Sequence, residues 1–521
     1  MSGSGTLRQM WGPIVIEHIT VLLYCGIALF LMALLPITWL IRRNARKTIH
    51  EQRQQIETLG ETIAQHADYS SSLKRLIEAK DAEIEIQRTK IRRMVPDFGP
   101  AKRLRAALDQ MDAVWLNHQS IAIIGAGQAG EQAIATLRGE GFQGEITLVG
   151  DEAFRPYQRP PLSKAYLAGT FERERLSLKP DAFYAGANCV VKVNTKAVAI
   201  DRAAKRVSLA DGTSLTYDAL LLATGSRVRR IPAPGAELEG IHYLRDIVDA
   251  DRLRAAFTRG ARLAVVGGGY IGLEVAAVAI KLGLEVDVFE ALDRLMARAV
   301  SPIVSEFYER VHSQAGVRFH MKTSVEAFEG ERRIEAVRAR GKSYPADLVL
   351  VGIGVVPNAE LAIGAGLPCD DGITVDLNAR TADPSIFAAG DCTRHVGRDG
   401  RYVRLESVQN AVDQAKHAAL AMLGKPTPYR EVPWFWSDQY DLKLQIAGLA
   451  RPTDEIVLRG NPATRKFAVF HLRDKRVACV ECVNAPSEYL VGRKLIEQNT
   501  QIASDRLADL SVPMKVFAPQ I

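Results

Sequence analysis

The chain has 521 residues, 47% of them hydrophobic and 24% charged, with a formal net charge of +7. That length exceeds what one core serves and implies three or more folding units of ordinary globular composition. The modest positive excess favours acidic partners or anionic lipid heads, and no zinc-finger spacing, aromatic RNA-binding signature or long Lys/Arg block points to nucleic acid.

After an N-terminal segment (1–18), the run Ile19–Ile41 carries no charge and is long enough to cross about 30 Å of hydrocarbon as a helix. It is too long for a cleaved signal, and Pro36 is tolerable in a membrane helix. Arg42, Arg43, Arg46 and Lys47 follow it whereas only Arg8 precedes it, which places everything after residue 41 in the cytoplasm. Residues 46–95 then carry Ile49, Ile56, Ile63, Ile77, Ile84 and Ile91 at multiples of seven, with Leu59, Leu73 and Met94 on the alternate seam. This predicts a left-handed, two-stranded parallel coiled coil on the order of 70 Å long, hence a homodimer on a stalk; the alternative is a single solvated helix. Pro96, Gly99 and Pro100 end it, and residues 96–118 read as a linker.

Two glycine fingerprints follow. In SIAIIGAGQAG a strand runs into Gly125, Gly127 and Gly130, a helix follows, and the strand EITLVGDE ends at Asp151. Gly125 makes the tight turn, Gly127 lets a pyrophosphate approach the helix N-terminus, and Gly130 permits close packing, while the acid suits a ribose hydroxyl. RLAVVGGGYIG repeats the pattern with Gly267, Gly269 and Gly272, and LEVDVFE ends at Glu290. A carboxylate there suits NADH and repels the extra phosphate of NADPH, although Arg294 and Arg298 lie close in sequence. Two such folds imply two dinucleotides. One is expected to be a flavin, because two nicotinamides would have no chemistry to share. The strand-end turns Ala223–Thr224–Gly225 and AAGD, with Gly390 and Asp391, support FAD, since small residues let backbone approach a cofactor and Asp391 can hold a ribityl hydroxyl.

The six cysteines imply no disulfide framework, so a reducing compartment fits. Cys479 and Cys482 form a C-x-x-C, but on a strand residues three apart face opposite sides, which argues against a redox pair. No four cysteines are spaced to hold an iron–sulfur cluster, and no metal is expected.

From about residue 119 to the C-terminus the chain resembles the FAD-dependent ferredoxin reductases that serve bacterial haem monooxygenases and ring-hydroxylating dioxygenases, the putidaredoxin reductase type. The stretches that carry the resemblance are YQRPPLSKAYLAG (157–169), LLLATGSR (220–227), YLRDIVDA (243–250), VVGGGYIGLEVAA (265–277), GIGVVPN (352–358), GDC (390–392), ESVQNAVDQA (406–415) and PWFWSDQY (433–440). The residues 1–118 are a departure, since familiar members are soluble. The resemblance implies that Ala129, Asp151, Lys164, Ala197, Arg245, Asp391 and Val408 line FAD. Arg159, Tyr270, Ile271, Gly354, Glu406 and Ser407, in the same stretches, join the cofactor-binding set. It also implies that Lys164 beside the flavin ring pairs with Glu274, where a cation would stabilise the reduced anionic flavin, and that Trp436 stands at the flavin's edge. By themselves Lys164 reads as a surface lysine, Glu274 as a helix residue and Trp436 as core.

Disulfide reductases of this fold carry two cysteines four residues apart where this chain has YQRPPLSK. The expected activity is therefore hydride transfer from NADH to FAD, with electrons passed singly to a [2Fe–2S] ferredoxin or rubredoxin feeding an oxygenase. The expected setting is a bacterial inner membrane, spanned once. The expected architecture is α/β: an FAD domain (119–229 and 350–424) interrupted by an NADH domain (230–349), then a C-terminal α+β domain (425–521). Competing readings are a membrane-associated NADH:quinone oxidoreductase, an apoptosis-inducing-factor-like NADH-binding interaction flavoprotein, and an inactive scaffold. The C-terminal DRLADLSVPMKVFAPQI is a weak candidate for the amphipathic membrane helix and quinone slot of the first.

Overall fold

The computed structural model describes residues 119–518; the uncharged run 19–41, the heptad stretch 46–95 and the linker lie outside them. Among the described residues no helix is long and apolar enough to cross a membrane.

The first sheet has five parallel strands in the spatial order Ile386–Ala388, Ala219–Leu222, Ser120–Ile124, Glu145–Val149, Cys189–Lys192. Its inner strands are buried on both faces, which is why SIAII and ALLL are apolar runs and do not alternate. Helix Gln128–Gly139 covers one face with Ala129, Ala133, Ile134 and Leu137. Helix Val408–Met422 packs in the same core, and its buried Ala411, Ala415, Ala418 and Ala419 let the backbones come close.

The second sheet repeats the design: Ile241–His242, Leu348–Val351, Arg262–Val266, Glu285–Phe289, Arg318–His320, all parallel. Between Cys189–Lys192 and Ala219–Leu222 of the first sheet, and between Arg318–His320 and Leu348–Val351 of the second, the chain makes a three-stranded antiparallel excursion, Ala197–Thr216 and Val325–Pro345 respectively. The second unit is inserted into the first through two adjacent passages, and Ser226–Val228 pairs antiparallel with Val355–Pro357 there. The expected boundary at 350 falls inside Leu348–Val351. All four residues of that strand are buried in the second sheet, so the second unit runs through Val351.

The third sheet is antiparallel: Trp434–Gln439, Leu442–Gly448, Arg476–Val483, Lys466–Arg473, Glu455–Asn461. Alternate residues of its inner strands serve two cores. Phe467, Val469 and Cys479 pack with Phe307, Tyr308 and Val311 of the second unit, and Phe307 meets Phe467 edge-on at 5.0 Å. Ala468, Phe470 and Cys482 face helix Pro486–Glu497 through Tyr489 and Leu495. Each large apolar side chain so buried contributes about 1.5–3 kcal/mol. Cys479 and Cys482 thus lie on opposite faces of one strand, both as free thiols, and cannot pair.

Candidate active site

The six fingerprint glycines fall into three matched roles. A Cβ on Gly125 would lie 2.0 Å from the Ala223 carbonyl oxygen, and one on Gly267 would lie 2.5 Å from the Gly352 oxygen, both at positive φ. Cβ atoms on Gly130 and Gly272 would meet the carbonyl oxygens of Gly125 and Gly267 at 2.2 and 2.3 Å. Gly127 and Gly269, by contrast, face open space at the N-caps of their helices, where unpaired N–H groups favour an anion. Two helix-terminal turns open to an anion are therefore present.

The two strands after these helices end at Val149 and Phe289, a little earlier than expected, so both acids stand just beyond a strand. Glu290 is folded back over its loop: one oxygen accepts from Gly268 N at 2.7 Å and the other from Leu292 N at 2.8 Å. Asp151 is exposed, one residue further along, behind Gly150. Of the two nearby arginines, Arg294 is occupied by the carbonyls of Val300 and Ala297, whereas Arg298 is exposed. Ile271, one residue into the second helix, is 40% exposed beside the second cradle.

Around the first cradle the chain gathers residues from distant segments. Ala223 and Gly225 end a buried strand, and Thr224 locks to Asn358 through reciprocal bonds of 2.6 and 2.9 Å. Asp391 accepts from Ser226 Oγ at 2.8 Å and pairs with Arg245 at 3.3 Å. Arg245 Nε is buried without a partner, and burial together with the neighbouring Arg159 guanidinium lowers the Arg245 pKa. Arg159 is held by Glu152, by Tyr157 Oη at 2.9 Å and by the Arg245 carbonyl at 2.8 Å. Burial pushes the Tyr157 phenol up. Gly390 donates to Gln414 and lies against Ala129; Ser407 caps the helix that begins at Val408, accepting from Asn410 N. Glu406 pairs with Arg404 at the rim, Gly354 faces open space, and Ala197 begins the first antiparallel excursion, buried. An open glycine turn, an orphaned cationic donor and a carboxylate fit a dinucleotide with a polyol arm, as FAD has.

The pair proposed from resemblance is present. Lys164, closing the PPLS turn, donates to Glu274 Oε2 at 2.6 Å, and the Ser163 hydroxyl donates to the same oxygen. The other oxygen accepts from Ser437 Oγ at 2.6 Å. Glu274 is only 4% exposed, on a helix (Tyr270–Lys281) whose residues 272–279 are all buried. One carboxylate thus joins all three units: Lys164 from the first, its own helix from the second, Ser437 from the third. Trp436 precedes Ser437, half-buried, with Trp434 and Phe435 rings at 5.6 and 6.4 Å, and Tyr270 lies 4.5 Å from Phe435. Sequence reasoning missed Ser163 and Ser437. Both sit inside quoted stretches, but nothing in their spacing shows that they meet on one carboxylate.

Two dinucleotide cradles and a lysine–glutamate pair whose carboxylate is buried, without a dithiol in the YQRPPLSK stretch, define a flavin- and nicotinamide-dependent reductase. Residues 119–415 match the family described as pyridine nucleotide-disulphide oxidoreductase, and residues 434–518 match the reductase C-terminal domain. The chain belongs to that pyridine nucleotide-disulphide oxidoreductase family. It is 47% identical to the "Probable ferredoxin reductase CtmF" of Castellaniella defragrans, over 77% of this chain and 99% of that one. It is 46% identical to the rhodocoxin reductase of Rhodococcus erythropolis, over 76% and 94%. The reductase in a covalent putidaredoxin reductase–putidaredoxin complex superposes with a TM-score of 0.75 at 41% identity, over 77% of this chain and 98% of that one. The cofactors of the chain are FAD and NAD(H).

Proposed function

We propose that this protein accepts a hydride from NADH on FAD and passes the two electrons one at a time to a ferredoxin or rubredoxin that feeds an oxygenase. The observation that carries the reading is the Lys164–Glu274 pair in a PPLSK turn, where a thiol relay would otherwise stand. FAD supplies the step between a two-electron donor and a one-electron acceptor. The protein's own residues bind and orient. The open turns at Gly127 and Gly269 receive the two pyrophosphates, Arg245 and Asp391 hold the flavin's polar arm, and Glu290 selects the free ribose of NADH. Lys164 brings fixed positive charge beside the ring, and Glu274 keeps that charge in place and compensated. The net charge of +7 supports an acidic partner whose docking weakens with salt.

Anaerobic NADH titration, then cytochrome c reduction with and without an added [2Fe–2S] ferredoxin, tests this. Flavin bleaching and ferredoxin-dependent cytochrome reduction are expected. Bleaching with quinone turnover, or with a long-lived charge-transfer state and no ferredoxin effect, would overturn it.

The uncharged run 19–41, the basic residues after it and the heptads of 46–95 support a single-pass anchor in a bacterial inner membrane. In this reading the reductase lies on the cytoplasmic side and pairs with a second copy through the stalk. The anchor would concentrate the reductase beside a membrane-bound oxygenase or its ferredoxin. Deleting residues 1–118 should leave ferredoxin reduction in solution intact and lower coupled hydroxylation in membranes; equal rates in membranes would sink the anchoring role.

A further inference from the structure

The geometry points to His312, buried in the last turn of the second unit's helix Pro302–Gln314, as a positioning residue for the Lys164–Glu274 pair, acting through Gln439 and Ser437. This rests on the reductase reading and adds a residue that touches neither cofactor nor partner.

Five side chains form one line of four hydrogen bonds. Ser437 Oγ lies 2.6 Å from Glu274 Oε1, Gln439 Nε2 lies 3.1 Å from Ser437 Oγ, His312 Nε2 lies 2.8 Å from Gln439 Oε1, and Tyr440 Oη lies 3.1 Å from His312 Nδ1. Ser437, Gln439 and His312 are at most 1% exposed, so water does not compete. Ser437 and Gln439 are two apart on one strand and therefore share a face.

Donor arithmetic fixes the direction. A carboxylate only accepts, so the single hydroxyl proton of Ser437 must go to Glu274. Ser437 must then accept from the Gln439 amide nitrogen, which turns the Gln439 carbonyl toward His312. His312 must therefore carry its proton on Nε2, leaving Nδ1 as an acceptor for the Tyr440 hydroxyl. The other neutral tautomer would set two lone pairs against each other at Gln439. The rings of Tyr308, Phe319 and Tyr440 pack around the imidazole, and burial pushes its pKa down to about 4.

Without the His312 donor the Gln439 amide is free to flip. Its oxygen would then take the Ser437 proton, and Ser437 would turn lone pairs toward Glu274 Oε1. The carboxylate would rotate, and Lys164, bonded to its other oxygen, would lose its fixed place. The line ends on Glu274, which joins all three units, so an error at His312 is delivered to Lys164. Because a glutamine stands in it, the line orients groups and does not relay a proton.

The test is stopped-flow bleaching of the FAD-loaded full-length protein by NADH, with flavin content and thermal midpoint measured alongside. His312→Phe keeps a ring and removes the donor. The limiting rate at saturating NADH should fall about tenfold, with the NADH dissociation constant unchanged. His312→Gln sets an amide nitrogen near the Nε2 position and should restore the rate to within about twofold. Ser437→Ala should match His312→Phe, and the double variant should lose no more than either alone. Ser301→Ala is the control: Ser301 donates from Oγ and N to buried Glu481 at the same junction between second and third units, off the line. It should lower the thermal midpoint and leave the rate alone. A wild-type rate in His312→Phe would overturn the proposal, as would losses in His312→Phe and Ser301→Ala that track lost stability. The readout needs no ferredoxin, so a failed ferredoxin assay leaves it standing; if NADH does not bleach the unaltered protein, the reductase reading falls and takes this with it.

Discussion

The two dinucleotide folds share the order of four strands, a glycine turn and an antiparallel excursion, but they treat the space beside the turn in opposite ways. In the first, the residue after the leading glycine is Ala126, and a Cβ on Gly150 at the strand end would lie 2.4 Å from that alanine's methyl carbon. In the second, Gly268 leaves that space empty, and the strand-end Glu290 fills it, accepting from the Gly268 N–H. A methyl group and a carboxylate have traded places. The first fold then closes over its cradle with Arg159, Arg245 and Asp391 from distant segments, while the second leaves Ile271 exposed at its rim. A cofactor that stays can be gripped from all sides; one that exchanges every turnover needs a preset recognition group and an open door.

The largest effect should come from the leading glycines. Gly125→Ala drives a methyl into the Ala223 carbonyl at a φ of +122°, costing about 3 kcal/mol or more, and the purified protein should carry little flavin absorbance. Gly267→Ala, with its own clash at Gly352, should keep FAD and lose bleaching by NADH. If either variant damaged both cofactors equally, the division of labour between the folds would be wrong.

Next in size, Glu290→Ala removes a charged acceptor worth about 1.5–3 kcal/mol of ribose binding. The KM for NADH should rise roughly 10- to 100-fold with the rate at saturation little changed, and the preference over NADPH should narrow. Asp151→Ala, removing an exposed acid that does not touch its loop, should weaken FAD retention less, as read by flavin release on dilution. A larger effect at Asp151 would reverse the contrast drawn between the two acids.

The smallest effect is on stability. Burial lowers the pKa to about 4 for both His312, in the second unit, and His395, on the strand Thr393–Val396 after the Gly390 turn. Each is neutral when folded and titrates near its ordinary 6.5 when unfolded. The unfolded chain therefore binds more protons between those values, and stability should fall as pH drops from about 6.5 toward about 4, by up to about 3 kcal/mol per histidine. Comparing the pH slope of the thermal midpoint in His312→Gln and His395→Gln would show whether the two units lose stability together.

Much of this was legible in the residues. The glycine spacing set the turn and packing roles that the Cβ distances match at Gly125, Gly267, Gly130 and Gly272, because those roles depend on backbone close to its own neighbours. The period-two pattern placed Cys479 and Cys482 on opposite faces. What pattern reading could not reach was contact across long separations. Lys164–Glu274 entered only by resemblance, and the line through His312 joins residues more than a hundred positions apart, each of them unremarkable locally. The strand ends were read too long because the ladders close at Val149 and Phe289, although Gly150 N and Glu290 N still donate to the Lys192 and His320 carbonyls. The boundary at 350 failed because an apolar strand and the passage after it carry no compositional mark between them.

The ribbon of Ser226–Val228 and Val355–Pro357 has a consequence for how the chain could be cut. Val228 stands opposite Val355, so the two ends left by removing everything between them lie about one strand spacing, roughly 4.8 Å, apart. A two-residue turn would rejoin the flavin-binding part, and the excised piece would have neighbouring termini of its own. Yet the same cut would carry off Glu274 and leave Lys164 and Ser437 facing a gap. By backbone the nicotinamide unit is a removable cassette; by side chain it is the keystone.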